Sequence, residues 1–99
     1  MDLDKLRSSD ALKRFCQRYH IRRLSFFGSV VRDDFGPQSD VDVLVEFEPG
    51  HTPGLDFFLM EAELSRLLGC KADLQTINFL SLDIRPSVLA EAVPAYEQT

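Results

Sequence analysis

Two aspartates separated by a single residue, Asp40 and Asp42, are the strongest candidates for chemistry in this sequence. They alternate with Val41 and Val43, a period-two pattern that predicts a strand with both carboxylates on one face. Same-face neighbours on a strand lie about 6.6 Å apart, so the two charges repel unless a proton or a cation lies between them. Hard oxygen ligands in such a pair suit Mg²⁺. For an isolated pattern this short, a solvated strand face is the commoner explanation.

The Gly28-Ser29 pair changes that balance. Leu24–Phe27 predicts a strand, and the residues from Ser29 to Arg32 can open a helical turn directly after it. Gly28 lets a phosphate approach the backbone closely, and free N–H groups at a helix start attract anions. The Ser29 hydroxyl and the Arg32 guanidinium add donors for phosphate oxygens. Alone, this arrangement also describes an ordinary tight turn, but joined to the carboxylate pair it predicts one site for a Mg-bound nucleoside triphosphate.

The spacing of these residues resembles that of a known superfamily. Gly28-Ser29, ten residues and then Asp40-Val41-Asp42 match the GS-x10-DxD signature of nucleotidyltransferases related to DNA polymerase beta. With RRLSFFGS, SDVDVLVEF and the later KADLQT, nearly the whole chain resembles the minimal nucleotidyltransferases called MNT domains. Members of that family act as antitoxins beside HEPN-domain ribonuclease toxins. The resemblance implies one nucleotidyltransferase domain over residues 1–99.

The resemblance also assigns roles to individual residues. Asp73, in KADLQT, matches the third carboxylate of the superfamily, which lies on a strand beside the DxD strand. Three carboxylates can hold two Mg²⁺ ions about 4 Å apart, the geometry for in-line displacement at phosphorus. The catalytic and metal-binding residues implied are Asp40, Asp42 and Asp73. The nucleotide-binding residues implied are Gly28, Ser29, Arg32, Asp40 and Asp42.

The activity implied by the resemblance is Mg-dependent transfer of AMP from ATP to a hydroxyl of a cognate HEPN toxin, preferably on a tyrosine. The chain departs from the family pattern GSRARG, because Val30 replaces its first Arg and Asp33 its final Gly. Both changes weaken nucleotide binding if these side chains face the site. They motivate an alternative, a non-catalytic antitoxin that neutralises its toxin by binding alone. A small-molecule nucleotidyltransferase is less favoured, since such enzymes normally carry a further domain for the acceptor.

Length and composition are those of one folded domain with a modest core: 99 residues, 44% hydrophobic, with eight phenylalanines. No apolar stretch approaches the ~20 residues of a membrane span, and the N-terminus lacks a signal-peptide pattern. We therefore expect a cytoplasmic protein that does not contact a membrane. Two cysteines, Cys16 and Cys70, are too few for a disulfide framework and predict buried free thiols.

The charge is unevenly distributed along the chain. Residues 1–23 contain seven Lys/Arg and three Asp/Glu, whereas residues 24–99 contain four and thirteen. The acidic main part argues against direct nucleic-acid binding, which requires a basic surface. It suits docking onto a basic partner such as an RNA-cutting toxin, and it is compatible with a homo- or hetero-oligomer.

The remaining elements follow from periodicity and from helix-ending residues. Residues 2–19 are predicted to be helical, as a short turn and then a helix from about Ser9, before the first strand. A second, short helix continues through Val93 and ends at Pro94. Between them lies an amphipathic helix that ends at Gly69, with an apolar face formed by Leu55, Phe58, Leu59, Ala62, Leu64, Leu67 and Leu68. We predict an α/β (α+β) fold, a small mixed sheet of three or four strands. Its helices pack on one face, and the acidic site lies on the other.

Overall fold

The structure, a computed structural model, describes residues 3–32, 36 and 39–98. Its helices and strands are, in chain order, α1 (Leu3–Arg7), α2 (Asp10–Arg18), β1 (Ile21–Phe27), β2 (Val41–Phe47), α3 (Asp56–Leu68), β3 (Ala72–Gln75), α4 (Arg85–Glu91) and β4 (Val93–Glu97). Short 3₁₀ turns, Gly28–Val30 and Ile77–Phe79, follow β1 and β3. The predicted α+β class is confirmed. None of the helices in these described ranges is long and apolar enough to span a membrane.

The four strands form one mixed sheet in the order β3-β2-β1-β4. β1 pairs antiparallel with both β2 and β4, whereas β2 and β3 are parallel. A parallel pair needs a crossover connection, and α3 supplies it between β2 and β3. The crossover matters for the site, because it brings the start of β3 beside the start of β2.

The main core lies between one face of the sheet and helices α2 and α3. Its largest fully buried side chains are Leu12, Phe15, Ile21, Leu24, Phe26, Val41, Val43, Val45, Met60 and Leu64. Met60 of α3 is completely buried in this core. Both cysteines are free thiols, and burial raises the pKa of Cys16 to about 12. A thiol with that pKa stays protonated, so Cys16 acts as a small apolar core residue.

A smaller cluster lies on the opposite face of the sheet, where Leu44 packs against Leu80 and Val88. Since side chains alternate along a strand, Leu44 shares this face with Asp42. Helices α2 and α3 therefore pack on one face as predicted, while α4 packs on the face that carries the carboxylates. This placement brings the last turn of α4 to the candidate site.

The sheet edges are protected in different ways. At β3, side chains of α3 accept hydrogen bonds from the outward backbone, from Ala72 N–H to Ser65 Oγ at 2.9 Å and from Leu74 N–H to Glu61 Oε2 at 3.0 Å. At the other edge, the predicted short helix is confirmed as α4, but it ends at Glu91 and not at Val93, where β4 begins. Pro94 is tolerated there, since an edge strand can lack one ladder donor.

Helix α2 begins and helix α3 ends where the sequence predicts, but the apolar face of α3 is less buried than predicted. Ser9 caps α2 by accepting a hydrogen bond from Leu12 N–H at 3.2 Å. Gly69 ends α3 in the left-handed conformation, with φ of +76°. The predicted apolar face of α3 is only partly buried, because Leu55 is 86%, Phe58 71% and Leu59 64% exposed. These three residues belong to the surface and not to the core.

Candidate active site

Gly28, directly after β1, lies against the Asp42 carboxylate of β2. The residue is buried, and its φ of +75° lies in the left-handed region that favours glycine. A Cβ placed on Gly28 would overlap Asp42 Oδ2 and would lie 3.1 Å from Asp42 Cγ. The backbone of the turn and the Asp42 carboxylate are therefore in direct contact, which only a residue without a side chain permits.

The pairing of β2 with β3 places the Asp73 carboxylate beside that of Asp42. In the parallel pair β2–β3, Asp42 lies opposite Asp73, and both point away from the main core. Burial raises the pKa of Asp42 above its ordinary value of 3.8, and the Asp73 and Asp40 carboxylates raise it further. The Arg32 guanidinium acts in the opposite direction. The site thus holds negative charge at a cost, as functional sites often do.

Asp40 and Asp73 each contact a neighbouring polar side chain. Asp40 lies just before β2 with its side chain 46% exposed, and its Oδ2 is 3.9 Å from Lys71 Nζ. The Asp73 carboxylate accepts a hydrogen bond from Gln75 Nε2 at 3.1 Å. The predicted strand placement of Asp73 is confirmed, with Ala72 and Leu74 buried on the other face.

The donor set fits Mg²⁺ bound together with a nucleotide. Among the residues that the structure describes, no three His, Cys, Asp or Glu side chains are gathered closely enough to enclose an ion by themselves. Mg²⁺ is usually held by one or two carboxylates and completes its octahedral shell with water and substrate phosphates. Asp42, in contact with Gly28, and Asp73, opposite it on the neighbouring strand, match that requirement. The residues that could hold the metal are Asp40, Asp42 and Asp73.

A cavity of about 230 Å³ opens beside Gly28 and is lined by Phe27, Gly28, Arg32, Asp42, Ser87, Val88 and Glu91. Gly28 N–H donates a hydrogen bond to Glu91 Oε1, and Arg32 Nη1 donates one to Glu91 Oε2 at 3.0 Å. Glu91 is a residue of this cavity that was not predicted from the sequence. Nothing in the sequence distinguishes it from a solvated charge, because it meets Gly28 only through the tertiary packing of α4.

The chain departs from the family pattern at Val30 and Asp33, and the structure describes only the first of these residues. Val30 is half-buried and packs against the main core, so its side chain does not line the cavity beside Gly28. Asp33 lies outside the described residues. Ser29 follows Gly28 in the 3₁₀ turn and is half-buried, but it is not among the residues that line this cavity. Of the predicted nucleotide-binding residues, the structure brings together Gly28, Arg32 and Asp42.

A glycine turn that contacts the Asp42 carboxylate, with Asp73 opposite Asp42 on the neighbouring strand of a small mixed sheet, is the arrangement of a class of enzyme that transfers nucleotidyl groups. Residues 8–95 match the family described as "Nucleotidyltransferase domain", and the chain belongs to this family. A similar relative is the protein adenylyltransferase MntA of Thermococcus cleftensis, 39% identical over 82 residues. That alignment covers 82% of this chain and 81% of the relative.

Solved structures support the same fold. A candidate minimal nucleotidyltransferase is 39% identical to this chain, with a TM-score of 0.76, and the match covers 95% of this chain and 96% of that one. A complex of a tri-AMPylated Shewanella oneidensis HEPN toxin with an MNT antitoxin has a TM-score of 0.69. The match covers 98% of this chain and 74% of that chain, but the identity of 12% makes it a likeness of fold alone.

Proposed function

We propose that this chain is a Mg-dependent antitoxin that transfers AMP from ATP to a hydroxyl, on a tyrosine, of a cognate HEPN-domain ribonuclease toxin. The observation that carries the proposal is the direct contact of Gly28 with Asp42, which joins a phosphate-binding turn to the carboxylates. The acceptor class is supported by a relative named protein adenylyltransferase and by a similarly folded antitoxin bound to an AMPylated HEPN toxin.

The turn after β1 is the proposed binding site for the nucleotide phosphates. The Gly28 N–H and the Arg32 guanidinium already hold a carboxylate in this structure, so their geometry suits an anion with two oxygens. We assign the Ser29 hydroxyl a supporting role as a hydrogen-bond donor to the phosphates, because Ser29 lies half-buried in the same 3₁₀ turn. Arg32 is preferred to Lys for this purpose, since its planar fork can contact two phosphate oxygens at once.

The three aspartates are the proposed metal-binding and catalytic residues. When bound, Mg²⁺ would neutralise charge that develops on the phosphates. One carboxylate of this set would accept the proton of the acceptor hydroxyl as a general base. The acceptor oxygen then forms its bond to the α-phosphorus, the bond from the α-phosphorus to the bridging oxygen breaks, and pyrophosphate leaves.

Exposed apolar side chains support a protein as the acceptor. A groove of about 260 Å³ is lined in part by Pro53, Phe57, Phe58 and Phe79. Phe58 is 71% and Phe79 69% exposed. The rings of Phe57 and Phe79 pack edge to face, with their centroids 5.9 Å apart. Clustered apolar side chains of this size usually mark contact with another macromolecule. The same observation favours the second candidate function, an antitoxin that acts by contact alone.

The test uses ATP labelled on the α-phosphate, Mg²⁺, the purified protein and lysate from its own host. We expect one labelled protein band, absent with the Asp40→Asn, Asp42→Asn double variant. The matched control is the Asp83→Asn, Glu97→Gln double variant, which removes the same charge from exposed positions and should label normally. Absence of label, with a toxin still bound and inhibited by both double variants, would replace catalysis by the contact-only function.

A further inference from the structure

Glu91 occupies the position where the proposed function requires a nucleotide phosphate. Its Oε1 accepts a hydrogen bond from Gly28 N–H, and its Oε2 accepts one from Arg32 Nη1 at 3.0 Å. The Glu91 side chain is only 28% exposed, so this contact is partly shielded from solvent. A carboxylate and a phosphate present the same feature to these donors, two oxygens that share negative charge.

The location of Glu91 in its helix does not explain the contact. Glu91 is the last residue of α4, where the orphan carbonyls give the helix end a partial negative charge. A carboxylate gains nothing from that position, whereas it does gain from Gly28 N–H and Arg32. The helix itself is fixed to the sheet by Val88, which packs on Leu44 and Leu80. Displacing the Glu91 carboxylate therefore needs a side-chain rotation and leaves the helix anchored.

We propose that Glu91 is an internal substitute for a nucleotide phosphate, which the nucleotide must displace and which thereby sets nucleotide affinity. This inference rests on the proposed function, because it assumes that Gly28 and Arg32 bind the phosphates. The inference adds a residue that opposes nucleotide binding. It also explains how the hydrogen-bond donors Gly28 N–H and Arg32 are satisfied before the nucleotide arrives, in a site crowded with negative charge.

The test is titration calorimetry with a non-hydrolysable ATP analogue and Mg²⁺, repeated with inorganic tripolyphosphate. The variants are Glu91→Gln, which keeps an oxygen for Gly28 N–H but removes the charge, and Glu91→Ala, which removes both. The control is Glu97→Gln, which removes one charge at the far end of β4, where Glu97 pairs with Arg23 at 3.7 Å. Thermal unfolding of each variant shows whether α4 remains attached.

We expect Glu91→Gln to bind both ligands about tenfold more tightly than the wild type, since one charge-assisted contact no longer competes. Glu91→Ala should bind at least as tightly, and Glu97→Gln should change affinity by about twofold or less. Wild-type binding with unchanged or weaker binding by both Glu91 variants would overturn the inference and leave the proposed function standing. No binding by any of the proteins would overturn both.

Discussion

The variant Gly28→Ala tests whether the turn after β1 and the carboxylate of β2 form one site. Alanine keeps the backbone N–H, so the proposed hydrogen-bond donor to the nucleotide phosphate is not removed. The new Cβ would overlap Asp42 Oδ2 and would lie 3.1 Å from Asp42 Cγ, closer than the ~3.5–4 Å of ordinary carbon contacts. The Asp42 carboxylate must therefore move by a distance on the order of 1 Å.

Two separate effects are expected, and their magnitudes differ. The left-handed backbone, with φ of +75°, costs an L-residue about 1–2 kcal/mol. For a chain of this length, that cost lowers Tm by roughly 5–15 °C. A displacement of about 1 Å at a reacting group can reduce the rate about 100-fold. We expect Gly28→Ala to lose AMP transfer to that degree at a temperature where it remains folded.

Gly50→Ala is the matched control for the backbone effect. Gly50 has φ of +81°, and a Cβ there would meet no atom within 4 Å. Both variants should therefore lose the stability that the left-handed backbone costs, Gly28→Ala should lose more because of the overlap with Asp42, and only Gly28→Ala should lose transfer. The assay is transfer of labelled AMP to the acceptor protein, with thermal unfolding of the same samples. Equal transfer by the two variants would refute the reasoning that links the turn to Asp42.

Three further predictions concern stability. Asp42→Asn should raise Tm at neutral pH by about 2–4 °C, since like charges on paired strands repel. Because the folded state raises the pKa of Asp42 above 3.8, the protonated carboxylate stabilises the fold at low pH and that gain is lost as pH rises. The difference in Tm between variant and wild type should therefore shrink on acidification, and a difference independent of pH would contradict this. Met60→Ala should lower the free energy of unfolding in urea by about 2–5 kcal/mol, because it leaves a cavity beneath α3. Ser9→Ala should cost about 1 kcal/mol in the same measurement, because it removes the cap on Leu12 N–H, and an unchanged midpoint would exclude that role.

The features that were predicted correctly depend on local rules. Alternating valines predict β2 and the direction of Asp42, and Gly69 marks the end of α3 because few other residues adopt its conformation. Asp73 lies on β3 between the buried Ala72 and Leu74, an alternation that neighbouring residues alone display. Each prediction needed only a few neighbouring residues, so one sequence was sufficient.

The features that were missed depend on contacts between distant segments. Glu91 meets Gly28 only after α4 has packed on the site face, and no periodicity encodes that packing. The apolar face predicted for α3 was too wide, because helical spacing cannot separate side chains that enter the core from those that stay at the surface. Phe58, 71% exposed, and the buried Met60 show the difference on one helix.

The stability and activity of an Asp42 variant distinguish a functional site from a merely solvated strand face. A solvated carboxylate costs little, and replacing it would change neither stability nor activity by much. Asp42 is instead partly buried opposite Asp73, with its pKa raised by burial and by both neighbouring aspartates. Such an arrangement destabilises the fold unless a cation compensates it, so neutralising Asp42 should raise stability and abolish transfer together. Opposite changes in these two measurements are the expected signature of a residue retained for its chemistry, and a solvated surface aspartate cannot produce them.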